Sequence, residues 1–272
     1  MGRNTTLGLA GALALAATGV AVFAQQPAPA PVPAAVTGFF AMTGYLPRGA
    51  APDSLLLNPP PPAPGSPAEA RDLAAAEAAV ALHDTARWAL ATRDADFMSP
   101  AATSAFSCAA GFAIGPVTTP LLDKLMQRTA RDLAGATGAT KRKYMRPRPF
   151  IMNGKPMCTP AMDHVLRGDG SYPSGHSSLG FGWGLVLAEA IPERTAQLVA
   201  RGRAFGDSRR ICNVHWLSDI EEGRVVASAV VARLNAEPAF QADLAAARAE
   251  AAALATRDPG QDCSAEAALL AL

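Results

Sequence analysis

Pro120–Ala136 reads PLLDKLMQRTARDLAGA, and its spacing decides what kind of fold to expect. Leu121, Leu122, Leu125, Met126, Thr129 and Leu133 recur at three and four residues, the period of a helix with one apolar side. Pro120 suits the first turn, where a missing N–H leaves no hydrogen bond unmade. The same texture extends outward in both directions. Residues 67–95 are Ala-rich with helix-forming charges, Ser99-Pro100 interrupts them, and another Ala-rich stretch runs to about residue 110. Downstream, residues 176–191 and 193–206 read as helices parted by Pro192. Residues 216–235 read as a further helix, with Ile220, Val225, Val226, Val230 and Leu234 near one side, and an amphipathic helix closes the chain from Pro238 to about Thr256. No run alternates apolar and polar residues as a half-buried strand would, and no internal repeat is present. The expectation is an all-α fold, a single-domain helical bundle.

Composition agrees and narrows the function. Half of the 272 residues are apolar, mostly Ala, Leu and Val, and only 6% are aromatic, which favours closely packed helices over sheets. A formal charge of +1 gives the chain as a whole no pull toward nucleic acid or an anionic membrane. Charge-driven chemistry must come from a local cluster. The first 24 residues read as a Sec-type signal peptide: Arg3 is the positive start, Leu7 to Phe23 is apolar and uncharged, and Val22-Phe23-Ala24 puts small residues where signal peptidase requires them. Residues 25–37, opening QQPAPAPVPAAV, form a Pro/Ala-rich linker, and residues 38–272 the functional domain. Asn58 to Pro64 is a second proline run, expected to lie extended on the surface. Beyond residue 24 no uncharged apolar stretch reaches the ~18 residues of a spanning helix. Export to the periplasm or beyond, with no stable membrane insertion, is the expectation. Cys108, Cys158, Cys212 and Cys263 then lie in an oxidising compartment, where an even count suggests two disulfides in any of three pairings. No CxxC spacing marks a zinc site.

Three islands carry groups suited to a phosphate ester. Lys141-Arg142-Lys143-Tyr144-Met145-Arg146-Pro147-Arg148-Pro149 holds five cations in nine residues. Alone it reads as a solvated basic patch. However, its prolines break regular helix and Phe150-Ile151-Met152 follows at once, so some of these cations lie near the core and need an anionic partner. Gly170-Ser171-Tyr172-Pro173-Ser174-Gly175-His176 is a turn running into an apolar helix. Its free amides and the Ser174 hydroxyl make an anion cradle, with His176 at the first turn; alone it is an ordinary helix cap. The third island is Ser208-Arg209, His215 and Asp219. An i,i+4 spacing sets His215 and Asp219 on one helical face, where the carboxylate fixes the imidazole tautomer and leaves Nε2 a lone pair. Alone such a pair is a surface feature. His83 and His164 fall outside the islands and read as ordinary histidines.

Taken together, Lys141-x6-Arg148-Pro149, Pro173-Ser174-Gly175-His176 and Ser208-Arg209-x5-His215-x3-Asp219 resemble the PAP2 superfamily of acid phosphatases, lipid phosphatases and vanadium haloperoxidases. The nearer likeness is to the bacterial class A non-specific acid phosphatases, over nearly the whole mature chain, including YMRPRPF, GSYPSGH and SRRICNVHWLSD. The resemblance implies a PAP2/haloperoxidase-like bundle that hydrolyses phosphate monoesters without metal or cofactor, with broad substrate range and a phosphotransferase side activity. It implies His215 as nucleophile, His176 as general acid and Asp219 as the group orienting His215. Lys141, Ser174, Gly175, Arg148 and Arg209 would bind the phosphoryl oxygens. It favours a Cys158–Cys212 disulfide, leaving Cys108 with Cys263, and the family is often oligomeric. Ser177 stands where the family usually has Thr, Asn213-Val214 replace a usual Gly-Tyr, and Arg210 adds a charge; these touch the pocket rim and bear on substrate preference.

Other readings make different demands. A haloperoxidase would oxidise bromide with vanadate and peroxide, and a superfamily lipid phosphatase would need membrane spans. A metal hydrolase could use His176, His215 and Asp219 as ligands, but three converging cations would repel the ion. A phosphate-binding or nucleic-acid-binding protein has no need of an oriented His–Asp pair, and the basic run lacks the interleaved aromatics of a nucleic-acid surface.

Overall fold

The computed structural model describes residues 1–2, 43–254 and 257–270. The leader expected over residues 1–24 (bar its first two residues) and the linker over 25–37 lie outside the described residues. Every element named here belongs to the unit Pro33–Leu272. In chain order the helices are α1 (Ser54–Leu57), α2 (Pro67–Val80), α3 (Ala86–Asp94), α4 (Ser107–Ala110), α5 (Pro120–Gly135), α6 (Gly138–Tyr144) and α7 (Pro149–Asn153). They continue as α8 (Asp163–Arg167), α9 (Gly175–Ala190), α10 (Thr195–Ile211), α11 (Leu217–Leu234), α12 (Pro238–Ala252) and α13 (Cys263–Leu270). Among the described residues there is no strand, and the all-α expectation holds.

Residues 67–95 are two helices rather than one. Asp84 takes a left-handed φ of 60°, and the Thr85 hydroxyl accepts the Trp88 N–H to start α3 afresh. The Ala-rich stretch near residue 110 is a 3-10 turn over Ala102–Phe106 followed by one α turn, stopped at Gly111. Pro149 opens α7 instead of excluding helix, because a proline is tolerated at the first position. Leu121, expected on the apolar side of α5, is 43% exposed, whereas Leu122, Leu125, Met126, Thr129 and Leu133 are buried. The proline run forms no helix and is anchored by Asn58, whose Nδ2 donates to Glu222, and by the Pro59 carbonyl, which accepts the Tyr172 hydroxyl at 2.8 Å.

α9 is apolar nearly all round, so it lies in the centre, packed by α5, α10 and α11. Trp183 Nε1 donates to the Met126 carbonyl and Ser178 Oγ to that of Leu133, tying α9 to α5. Phe106, Trp183 and Phe205 meet with centroids 6.0–6.1 Å apart. Each such ring stabilises the fold by roughly 1.5–3 kcal/mol through burial. Glycine sets how near α9 and α10 approach: a Cβ on Gly202 would stand 2.6 Å from the Gly180 carbonyl oxygen. A Cβ on Gly223 would stand 2.5 Å from the Ser174 carbonyl, so α11 also closes directly on the start of α9. These approaches bring His176, Arg209 and His215 to one end of the bundle. Cys158 bonds Cys212, pinning the loop after α7 beside the end of α10, and Cys108 bonds Cys263.

Candidate active site

The start of α9, the end of α10 and the segment before α11 converge on a cavity of about 320 Å³. Lys141, Arg148, Gly175, His176, Arg209 and His215 line it, together with Asp169, Phe97 and Leu166. Five of these lining residues are ones to which the family resemblance gives catalytic or phosphate-binding roles, and a sixth, Gly175, belongs to the expected anion cradle. Two predicted residues stand behind the wall. Ser174 is the buried N-cap of α9, its Oγ accepting the Ser177 N–H at 3.2 Å. Asp219 is buried beneath His215.

His215 and Asp219 do not share a helical face, contrary to expectation. His215 precedes α11, whose N-cap is Trp216. Asp219 sits at the third position of that helix, where its Oδ2 accepts the Trp216 N–H at 2.9 Å and lies 3.2 Å from His215 Nδ1. A capping carboxylate thus does what an i,i+4 pair was expected to do. On the other side of the ring, Arg148 Nη1 lies 3.0 Å from His215 Nε2. A guanidinium only donates, so Nε2 bears the lone pair and Nδ1 carries the hydrogen toward Asp219. The chain reaches this position through Asn213 at φ 59°, a left-handed residue that Asn tolerates nearly as Gly does.

His176 Nε2 lies 3.1 Å from the Ala95 carbonyl, which can only accept, so Nδ1 is the nitrogen left to exchange a proton. Its ring packs edge-on against Phe97 at 4.5 Å. Burial, and then the Arg209 charge, hold the His176 pKa well below the usual imidazole value. Burial and the cations Arg148, Lys141 and Arg209 do the same to His215.

The cations differ in their commitments. Arg148 donates to the Leu166, Asp169 and Val214 carbonyls and, from Nη2, to Asp169 Oδ2 at 2.8 Å. Lys141 Nζ contacts the same Asp169 oxygen at 3.0 Å and the Gly170 carbonyl; burial pushes its pKa down to about 8. Arg209 is 2% exposed, yet its Nε and one Nη have no hydrogen-bond partner among the described residues. Burial, with Arg148 nearby, pushes its pKa down to about 9. An orphaned guanidinium in a cavity wall fits an anion, because burying it without one costs several kcal/mol.

Sequence reasoning missed the support around these groups. Arg146, singled out only as one charge of the basic run, bridges Asp219 Oδ1 and Asp72 Oδ2, each at 2.7 Å, and donates to Ser218 Oγ. Asp72 and Asp169 carry no motif; only the fold brings them here. His83 pairs with the neighbouring Asp84 and stacks near Trp88, and His164 is exposed, both away from the cavity lining. Among the described residues no group of three or more His, Cys, Asp or Glu could hold a metal ion, and no helix is long and apolar enough to cross a membrane.

Residues 130–236 match the PAP2 superfamily. That span includes every lining residue named above except Phe97. The chain is 38% identical to an acid phosphatase of Zymomonas mobilis over 73% of its own length and 75% of that protein. It is 41% identical to the non-specific acid phosphatase of Providencia stuartii, over 77% of this chain and 85% of the other. The figure is again 41% for that of Salmonella typhimurium, over 73% and 80%.

Proposed function

The chain belongs to the PAP2 superfamily as a phosphoric monoester hydrolase of the acid phosphatase kind, and from that premise we propose that it works through a phosphohistidine on His215 in the periplasm. The observation that carries the proposal is the buried, half-unpartnered Arg209 in the same cavity wall as an imidazole whose Nε2 keeps its lone pair. Phosphoryl oxygens take up the free N–H groups of Arg209, with Lys141, Arg148 and the Gly175 amide completing the grip. As Arg148 Nη1 shifts its hydrogen from His215 Nε2 to a phosphoryl oxygen, neutral His215 attacks phosphorus in line through Nε2, forming the P–N bond as the P–O bond to the alcohol breaks. His176, protonated on Nδ1, gives that proton to the departing oxygen. The same nitrogen then takes a proton from water as the water oxygen attacks phosphorus, releasing orthophosphate and restoring His215. An alcohol in place of that water would receive the phosphoryl group, which is the side activity expected of such an intermediate. Asp219, held by Trp216 and Arg146, offsets the positive charge that develops on His215.

The test is hydrolysis of p-nitrophenyl phosphate at mildly acidic pH in excess EDTA, wild type against His215→Ala. Turnover that survives the chelator and falls by at least ~10⁴-fold in the variant is expected, as for loss of a nucleophile elsewhere. Turnover retained by His215→Ala would overturn the proposal. A phosphate-binding protein, in contrast, would keep its affinity and show no turnover in either form.

A further inference from the structure

Asp169 sits among the cations, and its place is not explained by the chemistry above. Its carboxylate Oδ2 accepts from Arg148 Nη2 at 2.8 Å and from Lys141 Nζ at 3.0 Å, while its backbone carbonyl accepts Arg148 Nε at 3.1 Å. One anionic oxygen therefore joins the two cations that, on the reading above, grip the phosphoryl group. Arg148 has no spare donor: Nε serves the Leu166 and Asp169 carbonyls, Nη1 faces the Val214 carbonyl and His215 Nε2, and Nη2 faces Asp169 and Gly170. A phosphoryl oxygen can bond Arg148 only by taking a hydrogen from one of these. Most partners are backbone carbonyls fixed by the fold, and His215 Nε2 frees only the one hydrogen it accepts from Nη1 when it attacks, which leaves Nη2 and Lys141 Nζ engaged with Asp169. The Asp169 side chain is 47% exposed and has water beside it to turn into.

We propose that Asp169 is an internal competitor for the phosphoryl site, so that binding exchanges its carboxylate for a phosphate oxygen and its return helps expel orthophosphate. The inference rests on Lys141 and Arg148 being phosphate ligands. Substrate and product are both anions at the pH of the assay, and each meets a like charge at the lip of the site. Both are weakened, but the product is weakened where slow release would stall turnover. Asp169 thus sets affinity and product inhibition by occupying ligands, without touching the reacting atoms.

Calorimetric binding of orthophosphate to the purified protein at mildly acidic pH, where Lys141 is charged, separates this from a scaffolding role by sign. Asp169→Asn removes the competing charge, so the Kd for orthophosphate should fall about tenfold, with KM for p-nitrophenyl phosphate falling in parallel. Asp169→Ala should behave alike, which guards against an asparagine that holds the same donors, and melting temperature checks that both fold. If Asp169 instead only braces Lys141 and Arg148, both variants bind orthophosphate more weakly. Weaker or unchanged binding in folded variants overturns the inference. A wild type that binds no orthophosphate, or binding undiminished in Arg209→Gln, overturns the phosphate-site reading itself.

Discussion

Arg201 and Arg209 lie eight residues apart on α10 and are equally buried, each 2% exposed, yet their surroundings are opposite. Arg201 has a partner on every nitrogen. Its Nη1 and Nη2 clasp Asp94 at 3.2 and 2.5 Å, and Nε meets the Ala105 carbonyl at 2.9 Å and Glu266 at 3.2 Å. Asp94 in turn accepts from Ser208, the residue beside Arg209. Among the described residues Arg209 forms no ion pair, and two of its nitrogens bond nothing. The electrostatics follow: the neighbouring carboxylates lift the Arg201 pKa against burial, while burial beside Arg148 pushes that of Arg209 down to about 9. Both guanidiniums are desolvated, but only the first has had its counter-ion supplied by the fold. A buried cation without a counter-ion is suited to take an anion, whereas one already paired serves as a brace.

The largest effect that sharpens this contrast is on stability. Arg201→Met leaves Asp94 buried without its guanidinium, and breaking such a pair costs about 3–5 kcal/mol. At roughly 2–4 °C per kcal/mol for a domain of this size, Tm should fall by at least ~6 °C in a thermal melt. Arg209→Met should keep or raise Tm, since it removes a charge that the protein does not satisfy. Its loss falls on activity, by about 10²–10³ in kcat/KM, the usual cost of one donor to a developing oxyanion. Orthophosphate at a hundred times its Kd stabilises a binder by about 2.7 kcal/mol, so it should raise the Tm of the wild type and of Arg201→Met but not of Arg209→Met. Equal loss of stability in the two variants would erase the contrast.

The next effect is on pH dependence. His176 must be protonated to act as acid, and burial with Arg209 holds its pKa well below 6.5. In the free enzyme, kcat/KM should therefore decline as pH rises through a value on the acid side of the ordinary imidazole. A bound dianion offsets the cations and raises that pKa, so the declining limb of kcat should lie at higher pH than that of kcat/KM. Arg209→Met should move the kcat/KM limb upward, and Arg201→Met, whose charge is already neutralised, should leave it in place. Matched limbs in wild type, or an unmoved limb in Arg209→Met, would remove His176 from the acid role.

What the sequence disclosed has a physical pattern. Long helices were legible because burial of one side imposes a period on residues such as Leu122, Leu125, Met126 and Leu133. Short helices α6, α7 and α8 were not, because a few residues leave no period to read and neighbours hold them in place. The residues proposed to face phosphate were legible as motifs: their types are scarce and their spacing is tied to a turn or helix start. Their supports were silent. Asp72, Asp94 and Asp169 are single acids in unremarkable surroundings, and Asp72 reaches Arg146 across 74 positions of chain. Even the correct pairing of His215 with Asp219 was reached through the wrong geometry, since spacing alone does not say where a helix begins.

Glu266 offers the smallest effect and the finest test of the contrast. It lies on α13, which the Cys108–Cys263 bond tethers, and it is the second carboxylate on Arg201. Burial raises its pKa, and Asp94 nearby adds to the rise over the opposing pull of Arg201. A carboxyl whose folded pKa stands above its unfolded one destabilises the protein when ionised, and that penalty is lost as pH falls through the folded value. Glu266→Gln removes this penalty, while Asp94 still clasps Arg201. The raised pKa already includes the pull of Arg201, so the variant should be unchanged or slightly more stable near neutrality, within about 1 kcal/mol, or about 2–4 °C in Tm. At acid pH, where the wild-type carboxyl is itself neutral, the two proteins should converge. A loss at neutral pH as large as that of Arg201→Met would mean that Asp94 alone does not satisfy the brace, and that the C-terminal helix is a required part of it.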